Sequence, residues 1–156
     1  MSELQVYNLC AEVVISEKLA KLQSVNINRI LDECLKEIED FILELNKEQL
    51  YEKGEINVKE PNKREKYSKA YKRFKERKAA YKKTEFVTLR FEGIFYDSFK
   101  LIIFDKEFLI SATDLKWNWF ENNPRFRNAL GLTDESKKEL RKELQPMIIE
   151  KLRNEL

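Results

Sequence analysis

Histidine is absent from this chain of 156 residues, and cysteine, glycine and proline are scarce at 2, 3 and 3. Without imidazole there is no Ser-His-Asp or Cys-His relay, no His-ligated metal and no ordinary pH switch near neutrality. Two cysteines, Cys10 and Cys34, are too few for a thiolate zinc site, and they do not form a Cys-x-x-Cys pair. Both sit in apolar, helix-like surroundings, where a buried free thiol is the common case and a disulfide or reactive thiol the rarer one. So few glycines and prolines leave little turn chemistry, which argues against a many-stranded sandwich or barrel. No apolar run approaches the roughly 18 residues that span a bilayer, and nothing at the N-terminus reads as a signal peptide. The expectation is a soluble chain made in a reducing cytoplasm, with no membrane partner.

What the chain does have is charge and aromatics. Charged residues make up 37%, against about 25% in an average globular domain. Lys+Arg 30 nearly cancels Asp+Glu 28, so the net charge of +2 names no partner. Hydrophobic residues at 42%, with ten Phe, six Tyr and two Trp, suffice for one core. The length fits a single domain over 1–156. Its parts read as an N-terminal extension (1–25), a long helix (26–54), a basic arm (55–84), a β-meander (85–114), and an aromatic turn with a C-terminal helix (115–156).

Ile27, Leu31, Cys34, Ile38, Phe41 and Leu45 follow one another at alternating spacings of 4 and 3, the seam of an amphipathic helix. Leu35 and Ile42 widen the stripe, Asn26 or Asn28 can cap its start, and Gly54 can end it. The stripe either packs within its own domain or forms a seam between subunits. Leu4, Val6, Leu9, Val13 and Leu22 suggest a further helical face, although Val13-Val14-Ile15 also fits a short strand.

Residues 59–83 carry twelve basic and three acidic residues, a local charge of +9 in a chain of net +2, so the remainder carries −7. Tyr67, Tyr71, Phe74 and Tyr81 recur at near-helical spacing, which predicts a basic helix with an aromatic stripe. From Glu85 the period becomes two, and Glu85–Phe91 reads as a strand. Ile94–Phe99 is a short helical segment or turn. Lys100–Phe104 and Phe108–Ala112 make a hairpin around Asp105-Lys106-Glu107. Leu115–Phe120 is an aromatic knot before the Asn122-Asn123-Pro124 turn. Thr133 caps a last helix, apolar along Leu140, Leu144, Met147, Ile148 and Leu152, in which Pro146 should introduce a kink. The fold class is α+β: a long helix on a small antiparallel meander, with a C-terminal helix and a basic helical arm.

No phosphate-binding loop, dinucleotide fingerprint or nucleophile elbow is present. Acidic pairs such as Glu37 and Asp40 fit a solvated helix face better than a metal site. The expectation is a protein that is not an enzyme and takes no cofactor or metal. The basic aromatic arm has two functional readings. Lys and Arg can neutralise phosphates while Tyr and Phe stack on bases. The same side chains can dock on an acidic protein surface, with Tyr67, Tyr71 and Phe74 as anchors and Lys69, Lys72 and Arg73 meeting the acids.

Several motifs resemble a known family when taken in order. They are Asn28-Arg29-Ile30-Leu31-Asp32-Glu33-Cys34-Leu35, then Leu43-Glu44-Leu45-Asn46-Lys47-Glu48-Gln49-Leu50-Tyr51-Glu52-Lys53-Gly54. Tyr67-Ser68, Tyr71, Val87-Thr88-Leu89, Gly93 and Phe95-Tyr96-Asp97-Ser98-Phe99 follow. Ile110-Ser111-Ala112-Thr113-Asp114 and Leu130-Gly131-Leu132-Thr133-Asp134-Glu135 complete the series. Over about residues 26–153 the chain is similar to small tailed-phage virion proteins of the tail-completion, or neck, family found in phages of Bacteroidetes hosts. Phe91-Glu92-Gly93 stands where that family usually has Asp-Thr-Gly. The resemblance implies a structural subunit at the head–tail junction of a virion, made in the host cytoplasm and assembled as a ring. Its implied partners are copies of itself and the portal (connector) and tail proteins, with some charge of the arm facing packaged DNA. The competing class is a nucleic-acid-binding or inhibitor protein of phage or mobile-element origin, acting through the basic arm.

Overall fold

A computed structural model of the chain describes residues 15–104 and 107–156. Cys10 and most of the apolar face expected near the N-terminus lie outside the described residues. Residues 15–24 are helical (α1) and exposed throughout. Helix α2 (Ile27–Glu37) starts at Asn26, whose side chain accepts a hydrogen bond from the Arg29 amide at 3.1 Å. Helix α3 (Glu39–Glu48) continues into a π-helical turn, Gln49–Lys53, which ends at Gly54 in the left-handed region with φ 70°. The long helix expected over 27–45 is thus two helices, separated at Ile38 (φ −112°, ψ 22°). Its ladder survives around the break, since the Ile38 amide donates to the Cys34 carbonyl and the Ile42 amide to the Ile38 carbonyl. The two halves follow different supports: α2 lies along the C-terminal helix, whereas α3 lies on the sheet.

The buried face of α2–α3 is also turned from the expected seam. Ile27 is 60% exposed, while Leu31, Ile38, Phe41 and Leu45 are half-buried against the core. The deepest positions are Ile30, Cys34, Leu35 and Ile42, followed by two polar residues, Asn46 and Gln49, each fully shielded. Cys34 is accordingly a buried free thiol, and burial raises its pKa. A sharp contrast follows along one helix pair. Ile42→Ala removes a fully buried side chain and should cost roughly 2–5 kcal/mol. Ile27→Ala should stay within about 0.5 kcal/mol, as exposed substitutions do. Urea denaturation of both variants checks this.

The expected meander is a hairpin. Among the described residues the sheet has two antiparallel strands, β1 (Phe99–Phe104) and β2 (Glu107–Ala112). Pairing runs from Phe99 opposite Ala112 to Phe104 opposite Glu107. Glu85–Phe91 does not join it, despite its alternating pattern. Its polar groups are engaged elsewhere: the Val87 amide donates to the Glu65 carbonyl, the Thr88 amide to the Tyr67 hydroxyl, and the Arg90 amide to Thr88 Oγ1. Leu89 turns the backbone into the left-handed region at φ 56°, which no strand accommodates.

The basic arm is helical only over α4 (Lys69–Lys78); the rest of 59–83 is irregular and follows the body of the protein. A single turn, α5 (Ile94–Asp97), precedes β1, and α6 (Lys116–Asn122) carries the aromatic knot. Helix α7 (Asp134–Glu155) is capped by Thr133, whose side chain accepts from the Ser136 amide, and it runs on past Pro146. Leu140 is buried; Leu144, Met147, Ile148 and Leu152 are half-buried. Across α2, Lys151 pairs with Glu37 at 2.6 Å and Glu33 at 3.4 Å, and Arg29 pairs with Glu155. The centre of the core is aromatic, with Phe95, Tyr96 and Phe99 mutually packed at 5.1–6.2 Å between ring centroids.

Candidate functional site

A groove of about 640 Å³ lies between α4, the segment 87–95 and α6. Helix α4 forms because Ser68 caps it, accepting from the Tyr71 amide at 3.3 Å, and because Lys75, Arg77 and Lys78 sit in its last turn, where the helix dipole favours cations. Tyr71 and Phe74 face the groove. Phe74 stacks on Phe91 at 5.7 Å between centroids, and Tyr71 lies 5.2 Å from Tyr67. The opposite wall is Trp119 and Phe120, with Trp119 also 5.7 Å from Phe126. Val87 and Phe95 contribute buried side chains to the lining. Lys66, Arg90, Lys116 and Arg125 also line it, against one carboxylate, Glu92.

Four large apolar side chains around this groove are open to solvent: Tyr71 at 43%, Phe74 at 46%, Ile94 at 57% and Trp119 at 60%. Single exposed apolar residues need no explanation, whereas these four line one groove. Burial raises the pKa of the Tyr71 phenol, with a smaller contribution from Tyr67, so it remains an uncharged contact at neutral pH.

The wall is held by a buried lysine. Lys75, 1% exposed, points away from solvent and donates to the Tyr67 hydroxyl at 2.9 Å and to Thr88 Oγ1 at 2.8 Å. Tyr67 also accepts from the Thr88 amide at 3.0 Å, so α4 and the 87–90 segment are fastened together at one point. Tyr96 donates its hydroxyl to the Thr88 carbonyl. Burial holds that phenol far above its ordinary pKa, against the opposing pull of Arg90. The Arg90 guanidinium lies 3.7 Å from the Tyr81 ring centroid and 4.8 Å from that of Tyr96, so its charge is spread over aromatic faces.

Of the six interface candidates, Lys69, Lys72 and Arg73 are exposed on α4, while Tyr71 and Phe74 enter the groove. Tyr67 is half-buried and lines the groove with its ring while its hydroxyl is tied inward. Trp119, Ile94 and Phe91 were not among the candidates. A signal for Trp119 existed: residues two apart on a helix point about 200° apart. One of Trp117 and Trp119 therefore had to face outward once the other was core. Trp117 is buried and Trp119 exposed.

Among the described residues no group of three or more Cys, Asp or Glu is placed to hold a metal ion, and no helix is long and apolar enough to cross a membrane. No family model, curated protein or solved structure matches the chain.

Proposed function

We propose that this chain is a non-catalytic assembly subunit whose aromatic groove and basic helix α4 dock against a neighbouring protein. The observation that carries the reading is the open groove itself, with Tyr71, Phe74, Ile94 and Trp119 exposed around it and lysines along its edge. Interfaces concentrate binding energy in aromatic anchors ringed by polar groups, and this groove has that composition. The motifs that resemble those of neck proteins suggest the setting we propose: a ring subunit between portal and tail in a tailed-phage virion.

A single-stranded nucleic acid is the second reading, because bases stack on exposed aromatics while lysines meet phosphates. The two are separated by salt and by substitution. Electron microscopy and sedimentation of the purified full chain should show ring-like oligomers. Charge reversal at Lys69, Lys72 and Arg73 should weaken them, as should high salt, since exposed pairs are screened beyond about 8–10 Å. Tyr71→Ala with Phe74→Ala should weaken them at every salt concentration, because apolar burial is not screened. Micromolar oligonucleotide binding with a steep salt slope, by a chain that stays monomeric, would replace this reading with its rival.

A further inference from the structure

We propose that the groove of one copy receives the outer face of the β1–β2 hairpin of a second copy, with Phe104 and Leu109 entering between Phe74 and Trp119. This rests on the assembly reading and names the partner surface for it. The strand register sends Phe99, Leu101 and Ile103 of β1 towards the core and leaves Ile102 and Phe104 on the other face, opposite Leu109 and Glu107. Phe104 is 52% and Leu109 50% exposed. One chain therefore presents both an uncovered apolar knob and an unfilled apolar groove.

The two cannot meet within one molecule. The base of the hairpin is fixed beside the groove, where Phe99 lies edge-on to Phe95 at 5.1 Å. Phe104 is five residues further along an extended strand, roughly 17 Å away at about 3.4 Å per residue. The contact is therefore between copies and joins unlike surfaces, the arrangement that propagates head to tail into rings or open chains.

Charge selects the hairpin over other occupants. The groove edge and α4 present Lys66, Lys69, Lys72, Arg73 and Lys116. The hairpin end brings more acid than base: Glu107 is exposed opposite Phe104, and Glu39 of α3 sits on the free edge of β1, accepting from the Leu101 amide at 3.3 Å beside exposed Asp40, against one exposed cation, Lys100, on the outer face. Opposite signs on opposite ends of one chain are complementary between neighbours. Another uncovered stripe, Ile15, Leu19 and Leu22 on α1, carries Lys18 and Lys21 against Glu17 and would bring net positive charge to a basic edge.

The test uses two variants of the full chain, each altered only at exposed positions. Phe104→Asp with Leu109→Asp spoils the hairpin and keeps the groove; Phe74→Ala with Trp119→Ala spoils the groove and keeps the hairpin. By analytical ultracentrifugation the unaltered chain should form oligomers beyond a dimer, and each variant alone should lose association by at least about tenfold per apolar side chain removed. An equimolar mixture should then yield a one-to-one dimer that grows no further, because only one intact knob and one intact groove remain. That rescue also shows that both variants are folded. A mixture that stays monomeric, or variants that assemble as well as the unaltered chain, would overturn the hairpin contact. If rings persist in the hairpin variant, assembly stands and runs through another surface, with Leu19→Asp the next surface tested. If the unaltered chain is monomeric and its oligonucleotide binding is lost in the groove variant, both the contact and the assembly reading fall.

Discussion

Gln49→Leu should unfold this protein at much lower denaturant, with a loss of about 2–5 kcal/mol, although leucine is of similar size and the site is fully buried. The reason lies in what Gln49 holds. Its Nε2 donates to the Gly131 carbonyl at 2.9 Å, and its Oε1 accepts from the Thr133 amide at 3.0 Å and from Thr133 Oγ1 at 3.4 Å. Asn46 adds a donor to the same carbonyl at 2.8 Å and to that of Ala129 at 3.2 Å. These two amides thus hold the backbone that leads into α7. Leucine would leave the Thr133 amide without its buried acceptor and strip one donor from Gly131, and each unsatisfied buried group costs about 1–3 kcal/mol.

Gln49→Glu sharpens the test. The carboxylate keeps the bond from Thr133 but faces the Gly131 carbonyl with no proton to donate. Burial disfavours its charged form, so its pKa in the folded state rises above the unfolded value. Stability is then lost as pH rises from the unfolded carboxylate range through the raised folded pKa, and regained on acidification. Chemical denaturation at pH 4.5 and pH 7.5 measures this, with the unaltered protein as reference. Equal losses for Gln49→Glu at both pH values would mean that the donor to Gly131 contributes nothing.

These amides also show where sequence reading fails. Helix over 27–45 was legible because apolar residues recur at 3 and 4, but its break at Ile38 was not, and Asn46 and Gln49 continue the buried stripe with polar side chains. Periodicity treats a polar residue as solvent-facing, and only the distant Gly131–Thr133 backbone explains their burial. The hairpin was legible since both strands fill a local pattern. Glu85–Phe91 was misleading because alternation records which side chains are buried and says nothing about which partner takes the amides. Here Tyr67 and Glu65 take them, from a segment whose pattern pointed to a basic helix with an aromatic stripe and not to a partner for 85–91. In the groove, Tyr71 and Phe74 were legible from spacing on α4, whereas the opposite wall depends on how α6 is rotated against the core, a tertiary fact.

Gly54→Ala should be nearly as damaging, at about 2–5 kcal/mol. Gly54 ends the π-helical turn at φ 70°, where a side chain costs roughly 1–2 kcal/mol. A Cβ there would also collide with Phe86 Cδ2 and lie 2.5 Å from its Cγ. That ring is buried, so it cannot simply swing out, and overpacking adds about 1–3 kcal/mol. The two causes separate experimentally. Gly54→Asn relieves part of the backbone cost, since Asn tolerates this region, but it keeps the collision. Phe86→Leu relieves the collision alone. Thermal denaturation of the singles and of Gly54→Ala with Phe86→Leu should give a double variant more stable than the summed losses. Strict additivity, with full recovery by Asn, would assign the whole effect to the backbone.

The pairing of α2 with α7 sets a timetable for the newborn chain. Glu37 meets Lys151 across 114 positions, and Arg29 meets Glu155 across 126. At a translation speed of about 5–20 residues per second, that is roughly 6–25 s of synthesis between one partner and the other. Through that interval the early helix waits with its apolar face uncovered, a client for whatever chaperone meets it. The Gln49 clamp likewise closes only after Thr133 has been synthesised, so the contacts that α2 and Gln49 make with the C-terminal part are the last that synthesis permits.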